Sequence, residues 1–304
     1  MPTVSKWWTY QRERFPVIMN GLLILAFSSS AVSFSTLLRH GTAPTLQSLI
    51  VAFLTSFTFF LQLRISDEFK DFEEDSQYRP YRPVPRGLIT LRELGWVFAI
   101  GALVQLSLAF WHQPRQILLL LITWFYLAGM SKEFFLRRWL KSRPLIYMVS
   151  HMAIMPLIDL YATACDWSKY TEIPPPGLLW FLVTSFFNGM VIEIGRKIRV
   201  PADEENGVQT YTFLWGRVRA VGSWWLVLAL TLAAALGAAR NIGSTPLVGT
   251  IMSAMFIGAI WLGVSFLRNP VGGRGKMIEM YSGIWTLFLY LSLGVISLVT
   301  KMLS

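Results

Sequence analysis

The sequence is poor in the residues that build thiolate metal centres, cross-links and a charged surface. It has one cysteine, Cys165, and three histidines, and charged residues make up 14% of the chain. A single thiol excludes an internal disulfide and a thiolate metal cluster. Soluble domains carry about 25% charged residues, and 304 residues cannot bury so apolar a composition in one soluble core. The composition therefore excludes a soluble globular enzyme, a disordered chain and a disulfide scaffold.

The chain has long apolar runs instead. Apolar residues make up 54% of it, and a membrane helix needs about 20 mostly apolar residues in succession. Such runs predict nine spans, at residues 16–38, 46–65, 88–110, 115–131, 144–164, 176–195, 220–239, 245–266 and 280–300. Residues 1–15 are polar and aromatic, which favours a helix at the membrane interface over a cleaved signal peptide.

The distribution of basic residues supports nine spans. With that count, 22 Lys and Arg residues fall in connections on one side of the membrane and 5 on the other. Basic residues concentrate in cytoplasmic connections, so the N-terminus is predicted to be cytoplasmic. The same rule explains the net charge of +10 without nucleic acid. We expect one all-α integral membrane domain over residues 1–304.

Acidic residues are concentrated in two short segments. Ten of the 17 acids lie in residues 67–75 and 193–205. Each segment follows an even-numbered span, which places both on the predicted cytoplasmic side. Segments that are far apart along the chain are therefore expected to share one end of the helix bundle.

The first segment has the spacing of a single helical face. Asp67, Asp71 and Asp75 are four residues apart, and Glu68 lies three residues before Asp71. Like charges at this spacing destabilise a helix unless a cation joins them. Carboxylates together with substrate phosphate oxygens are typical ligands of Mg²⁺. The alternative interpretation is a solvated helix end.

A basic, proline-rich stretch follows directly. Arg79, Arg82 and Arg86 alternate with three prolines, which forbid a helix and favour a stiff loop. Guanidinium groups bind phosphate oxygens in a bidentate manner. Acids for a metal ion followed by arginines for phosphate predict a diphosphate site.

The second segment again combines acid and base. Glu193, Arg196 and Lys197 have the spacing of one helix face, and Pro201 ends that helix. Asp203 then presents a carboxylate from the following loop. Two polar residues within predicted spans, His151 and Asn188, are further candidates because polar groups inside a membrane are usually functional.

These two segments resemble the signatures of the UbiA superfamily of intramembrane prenyltransferases. The first signature, Asn-Asp-x-x-Asp-x-x-x-Asp, is similar to Asp67-Glu68-x-x-Asp71-x-x-x-Asp75, and the arginine stretch resembles the Arg-Pro-(Leu/Val)-x-x-Gly sequence that follows it. The second, Asp-x-x-Asp-x-x-x-Asp-x-x-x-Gly-(Ile/Val)-x-Thr, is matched by Glu193 and by Asp203-x-x-x-Gly207-Val208-x-Thr210. Arg196 replaces its middle aspartate, and the spacing to Asp203 is three residues longer.

The resemblance implies nine helices around a central cavity and Mg²⁺-dependent transfer of a prenyl group from an allylic diphosphate to a lipophilic acceptor. It implies a site at the cytoplasmic side, in a bacterial inner membrane. The implied metal ligands are Asp67, Glu68, Asp71, Asp75, Glu193 and Asp203, with Asp71, Asp75, Glu193 and Asp203 as catalytic residues. The implied substrate-binding residues are Arg79, Arg82, Arg86, Lys132, Arg196, Lys197, His151 and Asn188.

Two other interpretations fit parts of this pattern. A terpene cyclase would use the same site to act on a prenyl diphosphate alone. A transporter is disfavoured, because transporters place their sites near the middle of the membrane. The basic residues of the second segment also suggest that Arg196 or Lys197 holds a diphosphate oxygen in place of metal contacts.

Overall fold

The computed structural model describes residues 3–204, 207 and 209–303, and its regular secondary structure is helical throughout them. This confirms the predicted all-α class. The helices are α1 Thr3–Arg14, α2 Val17–Leu38, α3 Leu46–Lys70, α4 Phe72–Tyr78, α5 Leu91–His112, α6 Gln116–Ser131, α7 Arg137–Lys141, α8 Pro144–Met152, α9 Ile154–Trp167, α10 Leu178–Arg196, α11 Tyr211–Trp215, α12 Arg217–Asn241, α13 Thr245–Arg268, α14 Arg274–Leu291 and α15 Ser297–Leu303.

Eight helical stretches within the described ranges are long and apolar enough to cross a membrane. They are α2, α3, α5, α8 with α9, α10, α12, α13, and α14 with α15. Helix α6 coincides with the predicted fourth span, but its 16 residues fall short of the usual 20 or so. The ninth span, the cytoplasmic N-terminus, the central cavity and the single domain therefore stay predictions.

The fifth span is broken, whereas the sequence predicts a continuous helix over 144–164. Helix α8 ends at Met152 and α9 begins at Ile154, with Ala153 between them. Pro156 explains the break, because it has no N–H to donate and its ring clashes with the carbonyl four residues earlier. The break lies next to His151, one of the predicted site residues.

Close packing around α10 forms the centre of the bundle. Helix α10 contacts α9, α12 and α14, and α12 buries Ala235, Ala238 and Ala239. Small side chains let membrane helices approach closely. Trp224 on α12 is fully buried, and its indole N–H donates to Ser282 Oγ at 3.0 Å.

The bundle has two chemically different ends. The acidic end is defined here as the end where α3 and α10 terminate, at Lys70 and Arg196. At the opposite end, the buried Asp166 accepts hydrogen bonds from Ser35 Oγ at 2.9 Å, Thr36 Oγ1 at 3.1 Å and Arg39 Nε at 2.8 Å. These bonds join the end of α2 to the end of α9.

Cysteine labelling tests the predicted orientation. In a Cys165→Ser background, we expect Ile173→Cys to react with a membrane-impermeant maleimide in intact bacterial spheroplasts. Gln77→Cys, at the acidic end, should react only after permeabilisation. Both positions are exposed, so a difference reports the side of the membrane. The reverse pattern would contradict a cytoplasmic N-terminus.

The Asp166 network is expected to dominate stability at its end of the bundle. Asp166→Asn should lower the free energy of unfolding by about 3–5 kcal/mol, because it leaves Arg39 without its buried counter-ion. The matched control is Glu172→Gln, which breaks an exposed pair with Arg115 and should cost less than about 1 kcal/mol. Unfolding by SDS in mixed micelles measures both, and equal losses would contradict the prediction.

Candidate active site

The first acidic segment keeps its helical spacing across a break. Helix α3 ends at Lys70 and α4 begins at Phe72, with Asp71 between them. Asp71 N–H nevertheless donates to Asp67 O at 2.9 Å, and Asp75 N–H donates to Asp71 O at 2.8 Å. The three aspartates thus follow one another at single helical turns, as predicted. The side chain of Asp67 is 38% exposed, whereas that of Asp75 is buried.

The proline-rich stretch brings two of its three arginines to this segment. Arg79 Nη2 lies 2.9 Å from Asp75 Oδ1, and Arg82 Nη1 lies 2.6 Å from Asp75 Oδ2. Arg86 instead pairs with Glu13 of α1 at 3.0 Å. The Nε–H of Arg79 is buried with no hydrogen-bond partner among the described residues, so a donor remains for an anionic ligand.

Glu68 is paired with arginines that the sequence pattern did not identify. Its Oε1 accepts from Arg14 Nε at 2.6 Å and from Arg64 Nη2 at 3.0 Å. Arg64 could have been found, since it precedes Glu68 by four residues on one helix. Arg14 is 54 residues away along the chain, and no local pattern points to it.

Lys70, Tyr147 and His151 form a second group that extends the site onto α8. Lys70 Nζ donates to Tyr147 Oη at 2.9 Å and lies 3.7 Å from Asp67 Oδ1. The tyrosine ring stacks on His151 with centroids 3.9 Å apart. The carbonyl of Tyr147 can only accept, so its 2.9 Å contact with His151 Nδ1 assigns the proton to that nitrogen. His151 Nε2 is buried and has no partner in the described part of the chain.

The second segment is arranged on one helix face, as predicted. Glu193 is buried, with Arg196 Nη2 at 2.5 Å and Lys197 Nζ at 2.8 Å from its two oxygens. Tyr211 lies beside this group, its ring centroid 5.5 Å from Lys197 Nζ. Burial and the nearby Glu193 carboxylate raise the pKa of Tyr211 well above its usual value.

The two segments meet at the acidic end. Gly207 has a φ of +76°, which favours glycine, and a Cβ added there would overlap the ring of Tyr78 at the end of α4. Glu205 and Val208, which belong to the second sequence pattern, lie outside the described residues.

Three predicted residues lie apart from these ion pairs. Asp203 is exposed, and its carboxylate accepts from Gly273 N–H at 2.9 Å, on the loop before α14. Lys132 is exposed at the end of α6. Asn188 is buried and accepts from Thr286 Oγ1 at 3.2 Å, while its Nδ2 has no partner within the described ranges.

The turn after α6 is a feature that the sequence did not indicate. Glu133, Phe134 and Phe135 all have φ between 50° and 61°, a conformation that costs roughly 1–2 kcal/mol for each L-residue. The turn buries Glu133 and sets the ring of Phe134 against Tyr126 and His151, with centroids 5.4 and 6.1 Å apart. Aromatic side chains therefore border the His151 group.

The acids differ in how far the chain's own cations satisfy them. Glu68, Asp75 and Glu193 each have at least two basic partners within 4.0 Å. Asp71 makes no ion pair within that distance among the described residues. Burial raises the pKa of Asp71, and the carboxylates of Asp67 and Asp75 add to this effect against the opposing charge of Lys70.

A divalent cation would find only part of its ligands among the described side chains. No set of three or more His, Cys, Asp or Glu side chains in the described residues is arranged to hold a metal ion. Asp67 and Asp71 nevertheless fit an ion that takes its other ligands from phosphate oxygens and water, as Mg²⁺ commonly does. The arrangement can thus hold a diphosphate through basic side chains and one carboxylate-bound ion.

The described residues thus form an apolar helical bundle with acidic and basic side chains grouped at one end. Residues 26–276 match the UbiA prenyltransferase family, and the chain belongs to that family. It is accordingly an integral, multi-pass membrane protein, as the sequence predicts. No curated protein sequence gives a significant match.

Solved structures show the same fold at low identity. A UbiA homologue from Aeropyrum pernix K1 without ligand has a TM-score of 0.68 and 13% identity over 92% of this chain and 98% of that one. A digeranylgeranylglyceryl phosphate synthase has a TM-score of 0.61 and 15% identity, over 97% of this chain and 99% of that one. A UbiA homologue from Archaeoglobus fulgidus bound to DMAPP and Mg²⁺ has a TM-score of 0.58 and 14% identity, over 93% of this chain and 98% of that one.

The Glu193–Arg196 pair generates a kinetic prediction. If Arg196 holds a diphosphate oxygen, as the sequence suggests, Arg196→Ala should raise the concentration of Mg²⁺ or prenyl diphosphate needed for half-maximal rate. The matched control is Arg138→Ala, an exposed arginine of α7. Unchanged kinetics in Arg196→Ala, measured by pyrophosphate release, would contradict a phosphate-binding role.

Proposed function

We propose that the chain transfers a prenyl group from an allylic prenyl diphosphate to a lipophilic acceptor and releases pyrophosphate. The observation that carries this proposal is the junction of the two acidic segments, where Gly207 packs against Tyr78. It brings carboxylates and arginines from distant parts of the chain to one mouth of a membrane bundle. Family membership and a neighbour bound to DMAPP and Mg²⁺ support the same reaction class.

The basic residues would act on the leaving group. As the allylic C–O bond breaks, its electron pair moves to the departing diphosphate, and fixed positive charges stabilise the charge that develops there. Arg79 has an unpartnered donor for this purpose, and Lys70 adds an ammonium group. Arg82, Arg86, Lys132, Arg196 and Lys197 complete the proposed phosphate-binding set.

The sequence pattern assigns six carboxylates to Mg²⁺: Asp67, Glu68, Asp71, Asp75, Glu193 and Asp203. We propose Asp67 and Asp71 as its ligands, because among the buried or half-buried members of this set they are the ones that the chain's own cations leave most open. When bound, the ion would supply Lewis-acid stabilisation of the leaving group. We place this reaction at the cytoplasmic side of a bacterial inner membrane. The positive-inside distribution supports that side.

The allyl cation would form next to aromatic side chains. Phe134 and Tyr147 contact the ring of His151, and Tyr126 packs against Phe134. Aromatic ring faces stabilise cations. His151 Nε2 and Asn188 Nδ2 have no hydrogen-bond partner among the described residues. These are the polar groups proposed to contact the acceptor. The clustering of acids at one end, rather than at the membrane midplane, argues against a transporter.

Two substitutions in the first segment test the proposal. Asp71→Asn and Asp75→Asn should each lower kcat/KM by at least about 100-fold, because one removes an ion ligand and the other releases Arg79 and Arg82. Glu73→Gln is the matched control, since Glu73 is exposed in the same segment. Turnover is followed by pyrophosphate release and by the labelled prenyl product. Wild-type rates in Asp71→Asn would overturn the proposal.

Incubation with a prenyl diphosphate alone separates transfer from cyclisation. A transferase should release little pyrophosphate until a lipophilic acceptor is added. A cyclic hydrocarbon or alcohol formed without any acceptor would instead identify a terpene cyclase. Mass spectrometry of the lipid extract distinguishes these products.

A further inference from the structure

Arg14 lies between two carboxylates that the sequence pattern assigns to a metal ion. Its Nε is 2.6 Å from Glu68 Oε1, and its Nη2 is 4.0 Å from Asp75 Oδ2. The side chain of Arg14 is only 10% exposed. It comes from α1, which lies outside the 26–276 region that matches the family.

Further arginines pair with the same two carboxylates. Arg64 reaches Glu68, and Arg79 and Arg82 reach Asp75, at distances of 2.6 to 3.0 Å. Four guanidinium groups therefore surround two carboxylates, which leaves a local excess of two positive charges. A divalent ion placed between Glu68 and Asp75 would be repelled by these groups and would have to displace them. Guanidinium groups stay charged at any physiological pH, so they do not release the carboxylates by losing protons.

Helix α1 is held firmly enough to keep Arg14 in place. Tyr10 is buried in a small apolar cluster with Ile65, Val84, Ile89 and Leu94. Two ion pairs, Lys6 with Glu93 and Glu13 with Arg86, fasten the same helix to α5 and to the proline-rich loop. The position of Arg14 is therefore built into the fold.

Asp67 and Asp71 present the opposite situation. The cations nearest Asp67 are Lys70 at 3.7 Å and Arg64 at 4.0 Å, which leaves its oxygens free of short contacts. Asp71 has no ion-pair partner within 4.0 Å in the described residues. These two carboxylates are one helical turn apart and can both reach an added ion.

We propose that Arg14 takes the place of a metal ion between Glu68 and Asp75, so that the chain binds one divalent cation, at Asp67 and Asp71. This proposal rests on the proposed function, since the ion is the one that would accompany a diphosphate. Glu68 and Asp75 are then positioning residues: they hold Arg14, Arg79 and Arg82 at the diphosphate and do not ligate the ion.

Counting bound Mn²⁺ by electron paramagnetic resonance tests this assignment. The probe is Mn²⁺ with inorganic pyrophosphate, added to the full chain in detergent micelles. We expect one tightly bound ion, a more than 10-fold weaker affinity in Asp71→Asn and Asp67→Asn, and a change of less than about threefold in Glu68→Gln and Asp75→Asn. Asp75→Asn should therefore lose turnover while it keeps the ion. Two ions in the wild type, loss of the ion in Glu68→Gln or Asp75→Asn, or no bound ion would each overturn the proposal.

A second measurement tests, without any metal, whether Arg14 stabilises the fold by pairing with Glu68 and Asp75. In EDTA, Arg14→Ala should lower the melting temperature by several degrees, and Arg14→Lys should restore part of the loss. The matched control, Arg12→Ala, removes an exposed arginine of the same helix and should leave the melting temperature unchanged. Equal melting temperatures for Arg14→Ala and the wild type would contradict a stabilising role of Arg14 between the two carboxylates.

Failure of the proposed function and failure of the role proposed for Arg14 give different experimental results. If the wild type neither consumes prenyl diphosphate nor releases pyrophosphate with any acceptor, the proposed function fails. If it turns over prenyl diphosphate while holding two Mn²⁺ ions, the function stands and the role of Arg14 is wrong.

Discussion

The acidic end of this protein depends on the pairing of charge where a helix bundle leaves the membrane. A carboxylate removed from water is strongly disfavoured unless a cation and hydrogen bonds replace the lost hydration. Glu68, Asp75 and Glu193 meet this condition with basic residues of the chain itself. The same basic residues create a surplus of positive charge that a diphosphate can use. Under the proposed function, stability and diphosphate binding would depend on the same set of ion pairs.

The fold was predictable where the sequence carries a strong local signal. Apolar runs located the spans, and the four-residue spacing of Asp67, Asp71 and Asp75 survived the break after Lys70. The break at Ala153 was missed, although Pro156 could have indicated it. The count of nine depends on α6, whose 16 residues are at the limit of what length alone can assign.

Long-range contacts of the site were the part that the sequence could not supply. Nothing local links Arg14 to Glu68 or Lys70 to Tyr147, because those partners are fixed by how α1 and α8 pack. Asp203 was grouped with Glu193 from spacing, yet its carboxylate binds the loop before α14. Residue types indicated that acids and bases would lie together at the acidic end, and tertiary packing determined which acids have no close cation of the chain itself.

The Asp166 network gives the bundle a fixed point. Arg39, Ser35 and Thr36 fasten α2 to α9 far from the acidic end, and the break at Ala153 separates α8 from that anchored portion. Helix α8, which carries Tyr147 and His151, therefore depends on its contacts with α10 and α7 for its position beside Lys70.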